Sequence, residues 1–234
     1  MEEVFRPMDP RRVKLGPSMF QKRFELNRRY LMSLRSDNLL RNHYLEAGLW
    51  SNQGKPEDCH WGWESPTSLG RGEFVGHWLS AAARIYAATG DAEIKAKADW
   101  IVSELGRCQE ANGGEWVGSV PEKALGWKSR GLPLSVPYTL HKPLLGLYEM
   151  AAYAGNDQAL EILIKSAKWF YRWTVRRNWR LLCKRFGGKS RRARRQDARP
   201  SGYSNRSNES STRDHCGHCL DPPSEMTFIA FAFS

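Results

Sequence analysis

Two stretches of the chain repeat apolar residues every three to four positions, which is the spacing of one face of an α-helix. The first covers residues 74–105 and is interrupted by Gly90-Asp91. The second covers residues 138–170 and is interrupted by Gly155-Asn156. Glycine commonly ends a helix, and an Asp or Asn that follows can cap the next one. Each stretch therefore predicts a hairpin of two helices.

The residues before these hairpins predict two further helices and a loop. Ser18 can cap a helix over residues 19–34, and a shorter helix over residues 36–47 ends near Gly48. Residues 49–72 are rich in Gly, Pro, Ser and Trp and have neither helical nor strand periodicity. We expect them to form an ordered loop, because so many aromatic side chains rarely remain in solvent.

The two hairpins recur at an interval of about 65 residues and are joined by long loops, which is typical of a repeat architecture. The predicted fold class is all-α, a partial (α/α)6 toroid built of αα-hairpins and followed by an irregular tail. A complete toroid needs about six hairpins and this chain supplies about three. We therefore expect an open ring with exposed apolar faces.

The net charge of +11 comes mainly from the end of the chain. Residues 175–234 carry 13 Lys and Arg against 5 Asp and Glu, whereas residues 1–174 carry 23 against 20. The tail is too polar to bury a core, and we expect it to be disordered or the product of a reading-frame change. A nucleic-acid interaction through residues 176–199 would be non-specific, because no recognition helix accompanies the arginines.

The cysteines and the chain start indicate the compartment. Five cysteines without regular spacing argue against a disulfide framework. As written, the chain has no signal peptide and no membrane span, so we expect a cytoplasmic protein. Cys216-Gly-His-Cys219 has the spacing of half a zinc site, but it lacks the surrounding context of one, and we assign no metal ligands.

Four segments in order resemble the β-L-arabinofuranosidases of glycoside hydrolase family 127, over roughly residues 17–174. The segments are Asn27-Arg-Arg-Tyr-Leu-Met-Ser-Leu with Asp37-Asn-Leu-Leu, Gly48-Leu with Trp61-Gly-Trp-Glu, Phe74-Val-Gly-His-Trp-Leu-Ser-Ala, and Val136-Pro-Tyr-Thr-Leu-His-Lys-Pro-Leu-Leu-Gly-Leu. The chain departs from the family pattern at Trp61, where a glycine is usual, and at Glu73, where a histidine is usual.

The resemblance implies an (α/α)6 barrel that binds an arabinose-containing oligosaccharide or glycan at its mouth. Residues 1–174 would be the N-terminal part of that catalytic domain and residues 175–234 a basic tail. Family members are thought to use a zinc-bound cysteine as nucleophile and a glutamate as acid. Those groups belong to later elements, so we expect the chain to stop before its catalytic residues and to bind no zinc of its own.

The resemblance also marks candidate substrate-binding residues. His141 could bond a furanose hydroxyl, and its alternative role is that of a core histidine; His77 could equally be a packing residue. Trp63 and Glu64 could contact the sugar or anchor their loop. Tyr138 is a weaker candidate, and Lys142 is expected to be a solvated charge. The alternative function is a non-catalytic carbohydrate-binding helical protein.

Overall fold

The computed structural model describes residues 8–49, 59–68, 70–125, 128–129, 132–133 and 136–193. Within these ranges it contains six α-helices: α1 (Met19–Ser33), α2 (Ser36–Glu46), α3 (Phe74–Thr89), α4 (Ala92–Ala111), α5 (Val136–Ala154) and α6 (Asp157–Ala193). Short 3-10 helices cover Pro10–Arg12, Gly62–Glu64 and Glu122–Ala124. Lys128–Ser129 (β1) and Leu132–Pro133 (β2) form a minimal antiparallel pair. The all-α class and the partial helical toroid are confirmed.

Local capping explains where the helices begin and end. The side chain of Ser18 accepts a hydrogen bond from the backbone N of Gln21 at 3.3 Å. Gly90 adopts a left-handed conformation with φ of 72°, which a glycine takes without a steric cost. Asp91 Oδ1 then accepts from the backbone N of Glu93 at 3.0 Å, which caps α4. The predicted first hairpin is therefore confirmed.

The second hairpin repeats this design. Gly155 has φ of 62°, and Asn156 Oδ1 accepts from the backbone N of Ala159 at 2.8 Å. The amide Nδ2 of Asn156 donates to Asp99 on α4 at 2.8 Å, so the turn of one hairpin bonds a helix of the other. Equivalent turns thus close both helix pairs, and the second turn also bonds the second hairpin to the first.

The core lies between α3 and its neighbours. Helix α3 packs most extensively against α5 and also against α4, and α2 packs against α4. The largest fully buried apolar side chains come from α2 to α5: Leu39, Leu40, Leu79, Ile94, Ile101, Leu105, Leu147 and Met150. Burial of these side chains holds the two hairpins and α2 together.

Helix α1 is attached by the buried side chain of Leu31 and by polar contacts. Trp78 Nε1 donates to the carbonyl of Leu31 at 2.9 Å, and Arg28 pairs with Asp91. The outer side chains of α1 stay exposed: Met19, Phe20, Leu26 and Tyr30. This agrees with the exposed apolar faces that we expect of an incomplete ring.

The chain divides into two compact units, Met1–Trp169 and Phe170–Ser234. Of the second unit the structure describes residues 170–193, which continue α6. The remainder of the basic tail, including Cys216-Gly-His-Cys219, lies outside the described residues. None of the helices in the described ranges combines the length and apolar character needed to cross a bilayer.

Candidate functional site

Helices α3 and α5 touch through their main chains at Gly76. A Cβ added to Gly76 would lie 2.1 Å from the carbonyl carbon of Lys142 and 2.3 Å from the backbone N of Pro143. One turn further along α5, Gly146 lies against the carbonyl of Gly76. Only glycine permits such an approach. The apolar pattern of the sequence does not predict this contact, although a glycine inside a strong helical pattern is a signal for it.

His77 and His141 flank this contact, one on each helix, and both are exposed. Partial burial lowers the pKa of His141, and the electrostatic effects of the neighbouring Lys142 and then His77 lower it further. The neutral imidazole is therefore favoured on His141, and it has one nitrogen that donates and one that accepts. The two ring nitrogens of His141 can therefore bond the hydroxyl groups of a neutral ligand, because a hydroxyl both donates and accepts.

Tyr138 stands one turn before His141 on the same helix, and its side chain is 59% exposed. Lys142 Nζ lies 4.3 Å from the centroid of the Tyr138 ring. A cation over an aromatic face is attracted to its π electrons, and this holds the two side chains together. Lys142 is thus half-buried and paired with Tyr138, whereas the sequence predicted a solvated charge. Its ammonium group lies on the same helix turn as His141.

The loop before α3 is anchored by Glu64, which is only 2% exposed. Its Oε2 accepts from Asn42 Nδ2 at 2.9 Å and from the backbone N of Gly72 at 2.8 Å. Its Oε1 accepts from the backbone N of Phe74 at 2.9 Å. These contacts are the ones expected if Glu64 anchors its loop, which is the alternative to a sugar contact. They bind the loop to the first turn of α3.

Two tryptophans that precede this anchor in the loop are largely exposed to solvent. Trp63 is 67% exposed and Trp61 56% exposed. The loop also contacts α3 through His60, whose ring centroid lies 6.1 Å from that of Phe74. Phe74 is one turn before His77, so the tryptophan loop is fixed to the turn that carries the histidine. The sequence identified Trp63, but it gave no signal for the fixation by Asn42 and the two backbone amides.

A buried histidine lies under the loop. His43 is fully buried, and neither of its ring nitrogens has a hydrogen-bond partner among the described residues. Its Cε1 would be 3.0 Å from a Cβ on Gly72, and the Oγ of Ser119 is closer still to that position. Burial, followed by the charge of Arg71, lowers the pKa of His43 to about 4. His43 is consequently neutral above that pH.

Stability should therefore fall in acid. In the unfolded chain His43 titrates near its ordinary value of 6.5, whereas the folded protein resists protonation until about pH 4. The folded state binds fewer protons within this window, so stability present above pH 6.5 is lost as the pH falls through it. We expect His43 to account for up to about 3 kcal/mol of that loss.

Urea unfolding of wild type and His43→Leu at pH 7 and pH 4 measures this contribution. Leucine cannot bind a proton. The variant should therefore lose less stability than wild type between pH 7 and pH 4, by up to about 3 kcal/mol. Other acidic groups titrate equally in both proteins and cancel in the comparison. An unchanged loss in the variant would contradict the assignment to His43.

Cys108 does not fit the zinc-bound thiolate that the family resemblance implies. Burial raises the pKa of Cys108 to about 12, and the charge of Glu104 adds to this effect. Such a thiol stays protonated at neutral pH, which is the opposite of what a nucleophile requires. Within the described ranges, no group of three or more His, Cys, Asp or Glu residues could hold a metal ion. We derive no chemical step through zinc.

A comparison with known protein families finds one family model that matches most of the chain. A family model described as the catalytic domain of GH127 β-L-arabinofuranosidase matches residues 12–187. The matched range contains both hairpins, the anchored tryptophan loop and all five candidate residues, and it continues along α6 past residue 174. No curated protein matches the chain.

Proposed function

The chain belongs to the family of GH127 β-L-arabinofuranosidase catalytic domains, and from this premise we propose that it binds a non-reducing-end β-L-arabinofuranosyl unit of a glycan between His77, His141, Tyr138 and Trp63. The observation that carries the proposal is the main-chain contact at Gly76, which brings the two histidine-bearing turns together. Glu64 serves this site as the anchor of the tryptophan loop.

The side chains suit a neutral sugar. The neutral imidazole of His141 can accept from one hydroxyl and donate to another. The indole of Trp63 offers a large apolar face to the C–H groups of a ring, and the loop that carries it is already ordered. Pre-ordering lowers the entropy that binding has to overcome. The resulting site would recognise a furanose by its shape and its hydroxyls.

We further propose that residues 17–174 contribute binding rather than bond cleavage. Cys108, which is buried within α4, has a pKa raised to about 12, so it cannot serve as a thiolate nucleophile near neutral pH. The acid and nucleophile of the family would then lie outside this segment. The alternative, a helical protein that binds carbohydrate without cleaving it, makes the same prediction for this chain.

Titration with methyl β-L-arabinofuranoside tests the proposal. Purified chain should bind the sugar, and His141→Ala should weaken binding about tenfold, because hydroxyls of the bound sugar lose their partner. The exposed Leu160 on α6 provides a control, since Leu160→Ala should leave the affinity unchanged. Isothermal titration calorimetry measures the affinities, and the same solutions are assayed for free arabinose, of which we expect none.

The outcomes separate the two parts of the proposal. Absence of binding by the wild-type chain, or equal affinity in His141→Ala, would overturn the binding site. Release of arabinose by wild type would show that the reacting groups are present after all. Thermal unfolding of each variant confirms that a lost affinity does not reflect a lost fold.

A further inference from the structure

Residues 11–23 form a continuous run of exposed side chains that is both basic and apolar. Every residue of this range is exposed, and none of them is acidic. The run carries five cationic and four large apolar side chains: Arg11, Arg12, Lys14, Lys22 and Arg23, and Val13, Leu15, Met19 and Phe20. Met19 is 68% exposed and Phe20 65% exposed. We refer to residues 11–23 as the basic-apolar segment.

Helix α1 continues this pattern on the side that faces away from the protein. The buried Leu31 holds the inner side of the helix against its neighbours. Helical positions three and four residues apart share one face. The exposed residues of the outer face are Met19, Lys22, Arg23, Leu26, Arg29 and Tyr30. Cationic and apolar side chains therefore alternate along the outer face of α1.

The charge of this surface is not neutralised within the protein. Arg11 pairs with Asp9, and Arg28 pairs with Asp91 and Glu93. Lys14, Lys22 and Arg23 form no ion pair with the residues that the structure describes. Residues 8–30 contain seven Lys and Arg against two Asp and Glu. The surface is therefore complementary to a partner with many negative charges.

We propose that the basic-apolar segment and the outer face of α1 bind the surface of a bilayer that contains anionic phospholipids. The lysines and arginines pair with the phosphates of the headgroups. The exposed apolar side chains enter the boundary between the headgroups and the acyl chains, as those of interfacial helices do. This contact lies on one leaflet and needs no helix that crosses the bilayer. It does not depend on the proposed sugar site.

A bilayer surface fits these residues better than a nucleic acid or an acidic protein does. A nucleic acid uses cations and aromatic rings, and it offers no apolar environment for Val13, Leu15 and Met19. A folded protein partner would need a groove in which acidic and apolar groups alternate in the same register. An anionic bilayer presents phosphates above an apolar interior at every point of its surface. It therefore meets both kinds of side chain without a fixed register.

Co-sedimentation of the full chain with vesicles tests the proposal. Vesicles of phosphatidylcholine with about one-third phosphatidylserine are compared with vesicles of phosphatidylcholine alone. Wild type should bind the anionic vesicles and not the neutral ones. The double variant Lys22→Gln, Arg23→Gln should bind about thirtyfold more weakly, since each cation near an anionic surface contributes about fivefold. Met19→Ser with Phe20→Ser should bind about tenfold more weakly at unchanged charge.

Exposed residues elsewhere supply matched controls. Arg107→Gln with Lys168→Gln removes the same charge from α4 and α6, and Trp100→Ser removes an exposed apolar side chain from α4. Both variants should bind the anionic vesicles like wild type. These controls separate the basic-apolar segment from the overall charge of the chain and from its basic tail. Equal unfolding midpoints show that every variant keeps its fold.

Four results would overturn the proposal. Two are failure of wild type to bind anionic vesicles and equal binding to both kinds of vesicle. Equal losses in the Arg107, Lys168 control would assign the binding to overall charge. A loss in the Lys22, Arg23 variant without one in the Met19, Phe20 variant would indicate a soluble polyanion, and titration with duplex DNA would then identify it. Sugar binding by these variants should equal that of wild type, so the proposed function stands or fails separately.

Discussion

Gly76→Ala is expected to lower the free energy of unfolding by about 4 kcal/mol, which is exceptionally large for a single substitution. The new Cβ would overlap the carbonyl group of Lys142, with carbon and oxygen both within 2.2 Å. These are main-chain atoms of a packed helix, so no side-chain rotation can relieve the overlap. Helices α3 and α5 would have to move apart, which would disturb the most extensive helix contact in the fold.

Gly106→Ala on α4 is the matched control for this substitution. Its Cβ would meet the side-chain amide of Gln158 at 3.0 Å, and that flexible group can turn away. Alanine also favours helix over glycine by about 1 kcal/mol. Urea unfolding should therefore place Gly106→Ala within about 1 kcal/mol of wild type. Similar losses in the two variants would contradict the main-chain contact at Gly76.

Glu64→Ala should lower the free energy of unfolding by about 3 kcal/mol and weaken sugar binding. The substitution leaves the backbone N–H groups of Gly72 and Phe74 without their acceptor. It also removes one of the two acceptors of the Asn42 amide, which keeps its bond to the backbone carbonyl of residue 64. A buried donor that loses its partner typically loses about 1 to 3 kcal/mol. Because the same bonds fix the Trp63 loop to α3, the affinity should fall even where the protein remains folded.

Glu64→Gln and Glu73→Gln complete this test. In Glu64→Gln the amide NH2 replaces an oxygen that faces N–H donors, so part of the loss should persist despite the matched shape. Glu73 is half-buried in the same segment, and Glu73→Gln should change stability much less. Chemical unfolding and calorimetric titration below the unfolding temperature measure the two effects. Wild-type stability in Glu64→Gln would show that the carboxylate does not anchor the loop.

The helices and their ends could be predicted because their causes are local. Ser18, Gly90-Asp91 and Gly155-Asn156 act on backbone groups within three or four residues, and the apolar spacing identifies the buried face of each helix. Helix α5 starts slightly earlier than residue 138, where the predicted second stretch begins. The helix begins at Val136, because proline is well accommodated in a first helical turn.

The residues that build the site could be predicted only in part. His77, His141 and Trp63 were found through the family resemblance, since exposed side chains leave no periodic signal of their own. The role of Glu64 depends on Asn42, which is 22 residues away, and on two amides that follow a bend in the loop. The contact of Gly76 with Lys142 spans 66 positions and requires knowledge of how two helices cross. Such long-range approaches are invisible in the spacing of a single helix.

The contact at Gly76 limits how the proposed sugar site could change its specificity. His77 and His141 stand on two backbones already at their closest distance, so exchanging side chains on the helices cannot narrow the gap, and widening it would disrupt the core. Accommodation of a different glycan would therefore have to arise in the segment around Trp61 and Trp63, where length and composition can vary while the helical scaffold stays constant.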